Sequence, residues 1–439
     1  MKKLYLEKRF FYAFTAIVIL FIVGFIVPSF FAIAKLLLFA LLFFLVIDIL
    51  IIFFNKKGVK AKRILPEKLS NGDENPIDIS LKNYYPFKIS TEIIDEIPFQ
   101  FQKRDFSIAV SLHPNTEKTI QYQLRPTERG EYHFGRLLVY VKSPLQLIAK
   151  RFDFNDKQML PTYPSFIQLR KFDLMAMAYR NMYGIKKVRR IGHTMEFEQI
   201  KEYVLGDDIR TINWKATAKR NQLMVNQFQD EKAQPIYSII DKGRVMKMPF
   251  NGLSLLDYAI NSTLVISNIT LKKGDKAGIA TFSKKIENRV VAERRSSQMN
   301  LILEALYNIK TDFKESDFGI LYGDIKRNIK QRSLLFLYTN FETLDGLDRQ
   351  LAYLQNIAKN HVLVVIFFEN TELDALVKKE VHDVKEIYHQ TIAEKFIFEK
   401  KLIVKELKRR GVYSVLTKPE NLTVDVINKY LEFKARGVI

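Results

Sequence analysis

At 439 residues, with 69 Lys and Arg against 48 Asp and Glu and a net charge of +21, the chain has room for two or three domains and is strongly basic. It contains no cysteine, which excludes a disulfide framework, a thiol nucleophile and any Cys-ligated zinc or iron–sulfur centre. The basic residues are interspersed with acidic ones rather than gathered in one arm, so nucleic acid is not the expected partner. An anionic membrane surface is, since each Lys or Arg near it gains about 1 kcal/mol.

In chain order, the first feature is a pair of apolar runs. Phe10 to Val27 carries no charge and closes at Pro28 and Ser29; Phe30 to Phe54 is interrupted only by Lys35 and Asp48. Each run can cross a hydrocarbon layer ~30 Å thick at ~1.5 Å per residue. No small-residue cleavage site follows the first run, so a cleaved signal peptide is not expected. Lys2, Lys3, Lys8 and Arg9 precede the pair, and Lys56, Lys57, Lys60, Lys62 and Arg63 follow it. Retention of basic flanks on the cytoplasmic side predicts two transmembrane helices in a bacterial inner membrane with both termini cytoplasmic. Asp48 lies six residues from the end of the second run, about 9 Å deep, where snorkelling or pairing with the other helix is expected.

Residues 1–63 thus form the hairpin and its basic flanks. From 64 to 160 the pattern becomes short alternating strands: Ile77–Leu81, Ile89–Ile94, Phe106–Leu112 and Thr119–Leu124. Turn residues separate them, which predicts a small immunoglobulin-like β-sandwich without catalytic signature.

Residues 161–233 hold a connector and the most distinctive stretch. Glu196-Phe-Glu-Gln-Ile-Lys-Glu-Tyr203 leads to Gly206-Asp-Asp-Ile-Arg-Thr-Ile-Asn-Trp214-Lys-Ala-Thr-Ala-Lys-Arg220, with the sole tryptophan of the chain. Gly206, Asp207 and Asp208 predict a turn whose carboxylates cap the next segment. Arg210 can pair with a carboxylate, with Trp214 packed beside it. Asp207 and Asp208 as a catalytic dyad is the weaker alternative.

From 234 to 439 strands and helices alternate. Pro235–Asp241, Ala277–Phe282, Arg289–Ala292, Ser333–Thr339, Val362–Phe368 and Val412–Leu416 read as strands. Ser254–Leu271, Gln298–Ile309, Val384–Arg410 and Val424–Phe433 read as helices. Ile392, Phe396, Ile403 and Leu407 would share one face of the longest. Apolar strands between amphipathic helices indicate a mostly parallel sheet covered on both faces.

Taken in order, the hairpin, the β region with Pro126, Arg129, Gly130 and Tyr132, the Gly-Asp-Asp-x-Arg-x-Ile-x-Trp segment and an α/β domain opening on a strand that ends in Asp241 resemble the bacterial "domain of unknown function 58" family. The resemblance implies a von Willebrand factor type A-like C-terminal domain and, as partner, a MoxR-type AAA+ ATPase. It implies no reaction. In metal-binding type A domains the strand ends in Asp-x-Ser-x-Ser, which holds a divalent ion. Here those positions are Asp241, Gly243 and Val245, with bases at Lys242 and Arg244. Ser296, Ser297 and Thr339 lie on other loops, and Asn340 follows Thr339 where an acid would help. A degenerate site without metal or other cofactor is expected.

No GxxxxGK[ST], GxSxG or HExxH occurs. The expected function is therefore a membrane-anchored, non-enzymatic interaction platform for a cytosolic partner, with Asp207, Asp208, Arg210, Trp214 and Arg220 as its signature or partner-binding residues. The alternatives are a carboxylate-dependent enzyme and a basic lipid- or nucleic-acid-binding protein. Oligomeric state is not legible.

Overall fold

A computed structural model describes residues 3–55, 57–154, 157–165, 167, 195–205, 207–230, 233–311, 313–379 and 383–439; for 195–199 and 227–230 only the backbone is considered. Lys2, Lys56 and Gly206, named above, lie outside the described residues. The chain divides into two compact units, Met1–Tyr163 and Pro164–Ile439.

In the first unit, helices α1 (Lys8–Ile26) and α2 (Pro28–Phe54) are both long and apolar enough to cross a membrane. Pro28, at the first turn of α2, lacks only an N–H that would be unpaired there. The helices meet closely at Gly24: a Cβ there would lie 2.8 Å from the backbone nitrogen of Phe31, so a larger residue would push the hairpin apart.

Among the described residues the same unit holds eleven strands: β1 (Leu4–Leu6), which precedes α1, then β2 (Val59–Ile64), β3 (Leu69–Ser70), β4 (Asn75–Asn83), β5 (Ile89–Asp95), β6 (Ser107–Leu112), β7 (Glu117–Leu124), β8 (Gly130–Phe134), β9 (Leu137–Lys142), β10 (Ile148–Phe154) and β11 (Gln158–Tyr163). They form a five-stranded sheet β1-β10-β9-β5-β6 and three-stranded sheets β2-β4-β7 and β3-β11-β8 around one core. Ile77, Ile79 and Leu81 of β4 alternate inward with Ile89 and Ile93 of β5, the period of two that the sequence shows.

Two features correct the reading of the basic flanks and of Asp48. Arg63 is not a free flanking charge: it is fully buried and paired with Asp95, which also accepts from Tyr122 Oη at 2.6 Å. Nor does Asp48 pair with α1. Its carboxylate is buried against the loop between β9 and β10, accepting from Ser143 Oγ and from the backbone nitrogens of Leu147 (3.3 Å) and Leu145 (3.4 Å). One turn later the exposed end of α2 is capped: Tyr85 Oη (2.9 Å) and Lys150 Nζ (3.3 Å) both donate to the carbonyl of Ile52. At 27 residues α2 is about 40 Å long, ~10 Å more than a hydrocarbon layer needs, so its last two turns can leave the layer and dock on the strands. At the same end of the hairpin, just before α1, β1 pairs antiparallel with β10, and Glu7 N donates to Leu147 O at 2.9 Å.

The second unit begins with a hairpin, β12 (Met195–Glu202) and β13 (Met224–Asp230), whose connection contains the short helix α3 (Trp214–Arg220). Then come β14 (Pro235–Asp241), the two-residue strands β15 (Pro249–Phe250) and β16 (Leu253–Ser254), α4 (Leu255–Lys272), β17 (Lys276–Phe282), β18 (Ile286–Glu293), α5 (Gln298–Tyr307), α6 (Phe318–Asn328), β19 (Leu334–Tyr338), α7 (Leu344–Asn360), β20 (Val362–Phe368), α8 (Thr371–Lys378), α9 (Val384–Arg409), β21 (Tyr413–Thr417) and α10 (Leu422–Arg436). The six-stranded sheet runs β18-β17-β14-β19-β20-β21; all neighbours are parallel except the edge strand β18. Along β14, Ile236 and Ile240 face α4, α5 and α10, while Tyr237 and Ile239 face α6, α7 and α9. This two-sided burial is why β14, β19 and β20 read as unbroken apolar runs. One expectation fails on α9: Ile403 and Leu407 are buried, but Ile392 and Phe396 are exposed, because only the C-terminal half of this helix lies on the sheet.

Candidate functional site

In an open parallel sheet, ligands bind beyond the carboxyl ends of the strands where the order reverses. Here β14 is followed by β17 on one side and β19 on the other, so the crevice lies between the ends of β14 and β19. Asp241 and Thr339 stand at those two ends.

The crevice is filled by the chain's own donors. The buried Asp241 carboxylate accepts from Gly243 N at 2.7 Å, from Thr339 Oγ1 at 2.7 Å and from Ser316 Oγ. Ser316 comes from the loop between α5 and α6, held over the crevice by the 2.9 Å bond from Arg244 N to Lys314 O. A Cβ on Gly243 would sit 2.2 Å from Ser316 Oγ and 3.0 Å from Lys314 O. Glycine at 243 is therefore what allows this loop to close and brings the Ser316 hydroxyl to Asp241. Nothing in the sequence around Ser316 marks it out; it precedes Asp317, which caps α6 through Gly319 N and Ile320 N.

The neighbouring polar groups are bonded elsewhere. Lys242 pairs with Glu287 rather than with Asp241, and Asn340 Oδ1 accepts from the buried ammonium of Lys400 at 2.7 Å. Val245 packs against the hydrophobic core, and Ser296 and Ser297 are exposed at the start of α5. One carboxylate with three hydrogen bonds already on it, beside two lysines, does not fit a divalent cation. Among the described residues no group of three or more His, Asp or Glu side chains is placed to hold a metal.

The signature residues form a second, separate arrangement on the β12–β13 connection. Asp207 accepts from Lys201 Nζ (2.9 Å) and Val204 N (3.0 Å), which holds its carboxyl below the usual range, the backbone bond contributing most. Asp208 accepts from Arg210 N at 3.0 Å and so starts a short 3-10 turn over Ile209–Thr211. Asn213 caps α3 through Ala216 N at 3.0 Å, and Thr217 Oγ1 accepts from Met224 N at 3.0 Å, fastening the helix to β13. Asp207 and Asp208 are thus the turn-capping residues that their spacing predicts.

The apolar members of the segment do the opposite of packing. Trp214 is 71% exposed, Ile209 70% and Leu205 98%. Among the described residues no hydrogen bond or cation–π contact joins Trp214 to Arg210. Arg210, Lys215, Lys219 and Arg220 are exposed around this tip. Polar side chains fix the backbone while large apolar ones stand in solvent, an inversion of the usual arrangement.

Residues 199–390 match the family described as "Protein of unknown function DUF58". The uncharacterized protein YeaD of Bacillus subtilis (strain 168) is 25% identical over 225 residues, covering 49% of this chain and 54% of that protein. The chain thus spans about half the length of this curated relative. Among solved structures, PapD-like domain 7 of human CEP192 aligns with 25% of this chain and 87% of its own at 11% identity and a TM-score of 0.20. The CARDB domain of the Pyrococcus furiosus protein PF1109, solved in complex with di-metal ions, aligns with 22% and 85% at 20% identity and a TM-score of 0.16.

Proposed function

We propose that this chain is a membrane-anchored, non-enzymatic platform whose β12–β13 tip recruits a cytosolic protein, with a MoxR-type AAA+ ATPase as the candidate partner. The observation that carries the reading is the exposure of Trp214, Ile209 and Leu205 on a connection whose Asp207, Asp208 and Asn213 side chains hold its shape. A rigidly presented aromatic with apolar neighbours and a basic rim has the composition of an interaction hot spot.

Three further features support it. The outward residues of α1 and α2 are large and apolar, Phe25 and Phe54 among them, as a lipid-facing hairpin requires. Its basic flanks favour a bacterial inner membrane with both termini cytoplasmic. The strand order of the second unit suits a von Willebrand factor type A-like domain in which the Asp241 crevice has become a structural element.

The test is affinity capture with the detergent-solubilised full chain, native against Trp214→Ala with Leu205→Ser, in the presence of ATP or a slow analogue. Retention of an AAA+ ATPase by the native chain and its loss from the variant is the expected result; equal retention by both would end this reading of the tip. The same tip, with its four bases, also has the makings of an anionic-membrane contact. Vesicles with and without acidic lipid, added to the soluble partner assay, separate the two readings.

A further inference from the structure

Beside the Asp241 crevice, the second unit contains a pocket of about 420 Å³ beyond the carboxyl ends of β19, β20 and β21. Its volume lies in the range of small-molecule sites, roughly 300–1,000 Å³. Met248, Phe250, Leu255, Phe368, Phe396 and Leu416 supply apolar wall. Lys400 lines the same cavity and is 9% exposed.

Lys400 is the unusual member. Its ammonium offers three donors, of which one is bound to Asn340 Oδ1; among the described residues no carboxylate lies within ion-pair distance. Glu342 acts on this ammonium only at longer range and the Phe367 ring lies 5.9 Å from it; a buried cation with no carboxylate in direct contact is costly, and the cost falls when an anion enters the cavity. The lining also includes Glu342, Glu369, Glu372 and Asp374, with Lys401 the one other base. Glu342 and Glu372 are exposed. These carboxylates disfavour a ligand that is purely anionic and favour one that carries a cation as well.

We propose that this pocket binds an amino-acid-like zwitterion with an apolar side chain: its carboxylate on the Lys400 ammonium, its ammonium toward the carboxylates of the lining, and its side chain against Phe250, Phe368 and Phe396. The three chemical requirements of such a ligand are met by three different parts of one cavity. Burial lowers the Lys400 ammonium to a pKa of about 8, opposed by Glu342. The site is independent of the β12–β13 tip, so the two readings stand or fall separately.

The test uses the full chain in detergent with three probes followed by ligand-observed NMR: L-phenylalanine, 3-phenylpropionate, which lacks the amine, and 2-phenylethylamine, which lacks the carboxylate. L-Phenylalanine is expected to bind saturably and tightest, and phenylethylamine weakest. Lys400→Met should weaken L-phenylalanine by about tenfold to a hundredfold, the loss expected for one buried charge-assisted bond. Phe250→Trp, which narrows the cavity and leaves the Lys400–Asn340 bond in place, should also abolish binding with melting unchanged, and so serves if the lysine variant does not fold. Failure of all three probes to bind, binding of phenylethylamine equal to that of L-phenylalanine, or full binding by both variants would each overturn the proposal and leave Lys400 as a tie between α9 and β19.

Discussion

Removing the Asp48 carboxylate should loosen the β9–β10 loop selectively. In the structure Asp48 is the acceptor for Ser143 Oγ, Leu147 N and, at 3.4 Å, Leu145 N, all within a loop whose Leu147 carbonyl also receives Glu7 N. A hydrogen bond to a charged group contributes about 1.5–3 kcal/mol, and a buried donor left without its acceptor costs about 1–3 kcal/mol. The two longer bonds are at the weak end, so Asp48→Ala is expected to cost about 2–4 kcal/mol locally. Ser143→Ala removes one partner and should cost about 1 kcal/mol, and the double variant should fall short of the sum by about 1–2 kcal/mol, the signature of direct coupling. Hydrogen exchange of the full chain in lipid nanodiscs reads this directly. A loss of ~2 kcal/mol in opening free energy accelerates exchange about thirtyfold at Leu147 and Ile148, with the strands β4 and β7 unaffected. If exchange in 143–148 does not change in Asp48→Ala, or if the two substitutions are strictly additive, the carboxylate does not hold the loop and this account of Asp48 is wrong.

Other expectations follow from the same contacts. Trp214→Ala removes a side chain that is 71% exposed, so thermal melting should fall by much less than for a buried aromatic, which costs about 3–5 kcal/mol; a loss of that size would mean the ring is a packing residue. Asp95→Asn strands the buried guanidinium of Arg63 and should destabilise the first unit by about 3–5 kcal/mol, measured by denaturant unfolding; a loss below 1 kcal/mol would deny the pair its structural role. Lys400 is depressed from 10.5 to about 8 by burial, so the unfolded chain binds its proton more tightly. Stability contributed by this group is therefore fully present above the unfolded value and is lost as pH falls through about 8, by about 3 kcal/mol in all. Lys400→Met should accordingly stabilise the chain most at neutral pH, its advantage shrinking toward pH ~10.5; a gap that does not vary with pH would refute the linkage. Finally, Mg²⁺ should leave the melting of native protein unchanged, and a saturable shift abolished by Asp241→Ala would show that the crevice takes an ion after all.

How much of this was legible depends on the range over which each signal acts. The two apolar runs announce helices because a helix apolar on every side has few other uses, and the strands β14, β19 and β20 announce a two-sided sheet for the same reason. The periodicity of Leu347, Leu351, Leu354 and Ile357 is equally plain, although the expectations named only the strands on either side of α7. Contacts between distant residues are different. Arg63 follows an apolar run and reads as a topogenic charge; only the partner thirty-two residues later, Asp95, makes it a core residue. The residues of β1, Leu4–Leu6, are too few to register as a strand without β10 beside them. On α9 the stripe through Ile392, Phe396, Ile403 and Leu407 is real, but periodicity says which residues share a face and nothing about how far the covering sheet extends.

At the Asp241 crevice one small residue decides what the carboxylate can bind. Position 243 lies under the loop of Lys314 and Ser316, and any side chain there would meet Ser316 Oγ. Once glycine occupies it, the loop can descend until its serine reaches the carboxylate, and Thr339 completes the set from β19. The acid then has its full complement of donors from the chain, and a cation would have to break these bonds before gaining its own. The sequence at Asp241, Gly243 and Val245 shows an acid with no hydroxyl two or four residues on, whereas the geometry shows what the carboxylate does: it ties the ends of β14 and β19 to the α5–α6 loop. By that argument a serine at 243 alone should not create an ion site, because the loop would have to move first. Gly243→Ser should lower the melting temperature without any response to Mg²⁺, and a Mg²⁺-dependent recovery would instead mean that the loop yields and the crevice can take an ion.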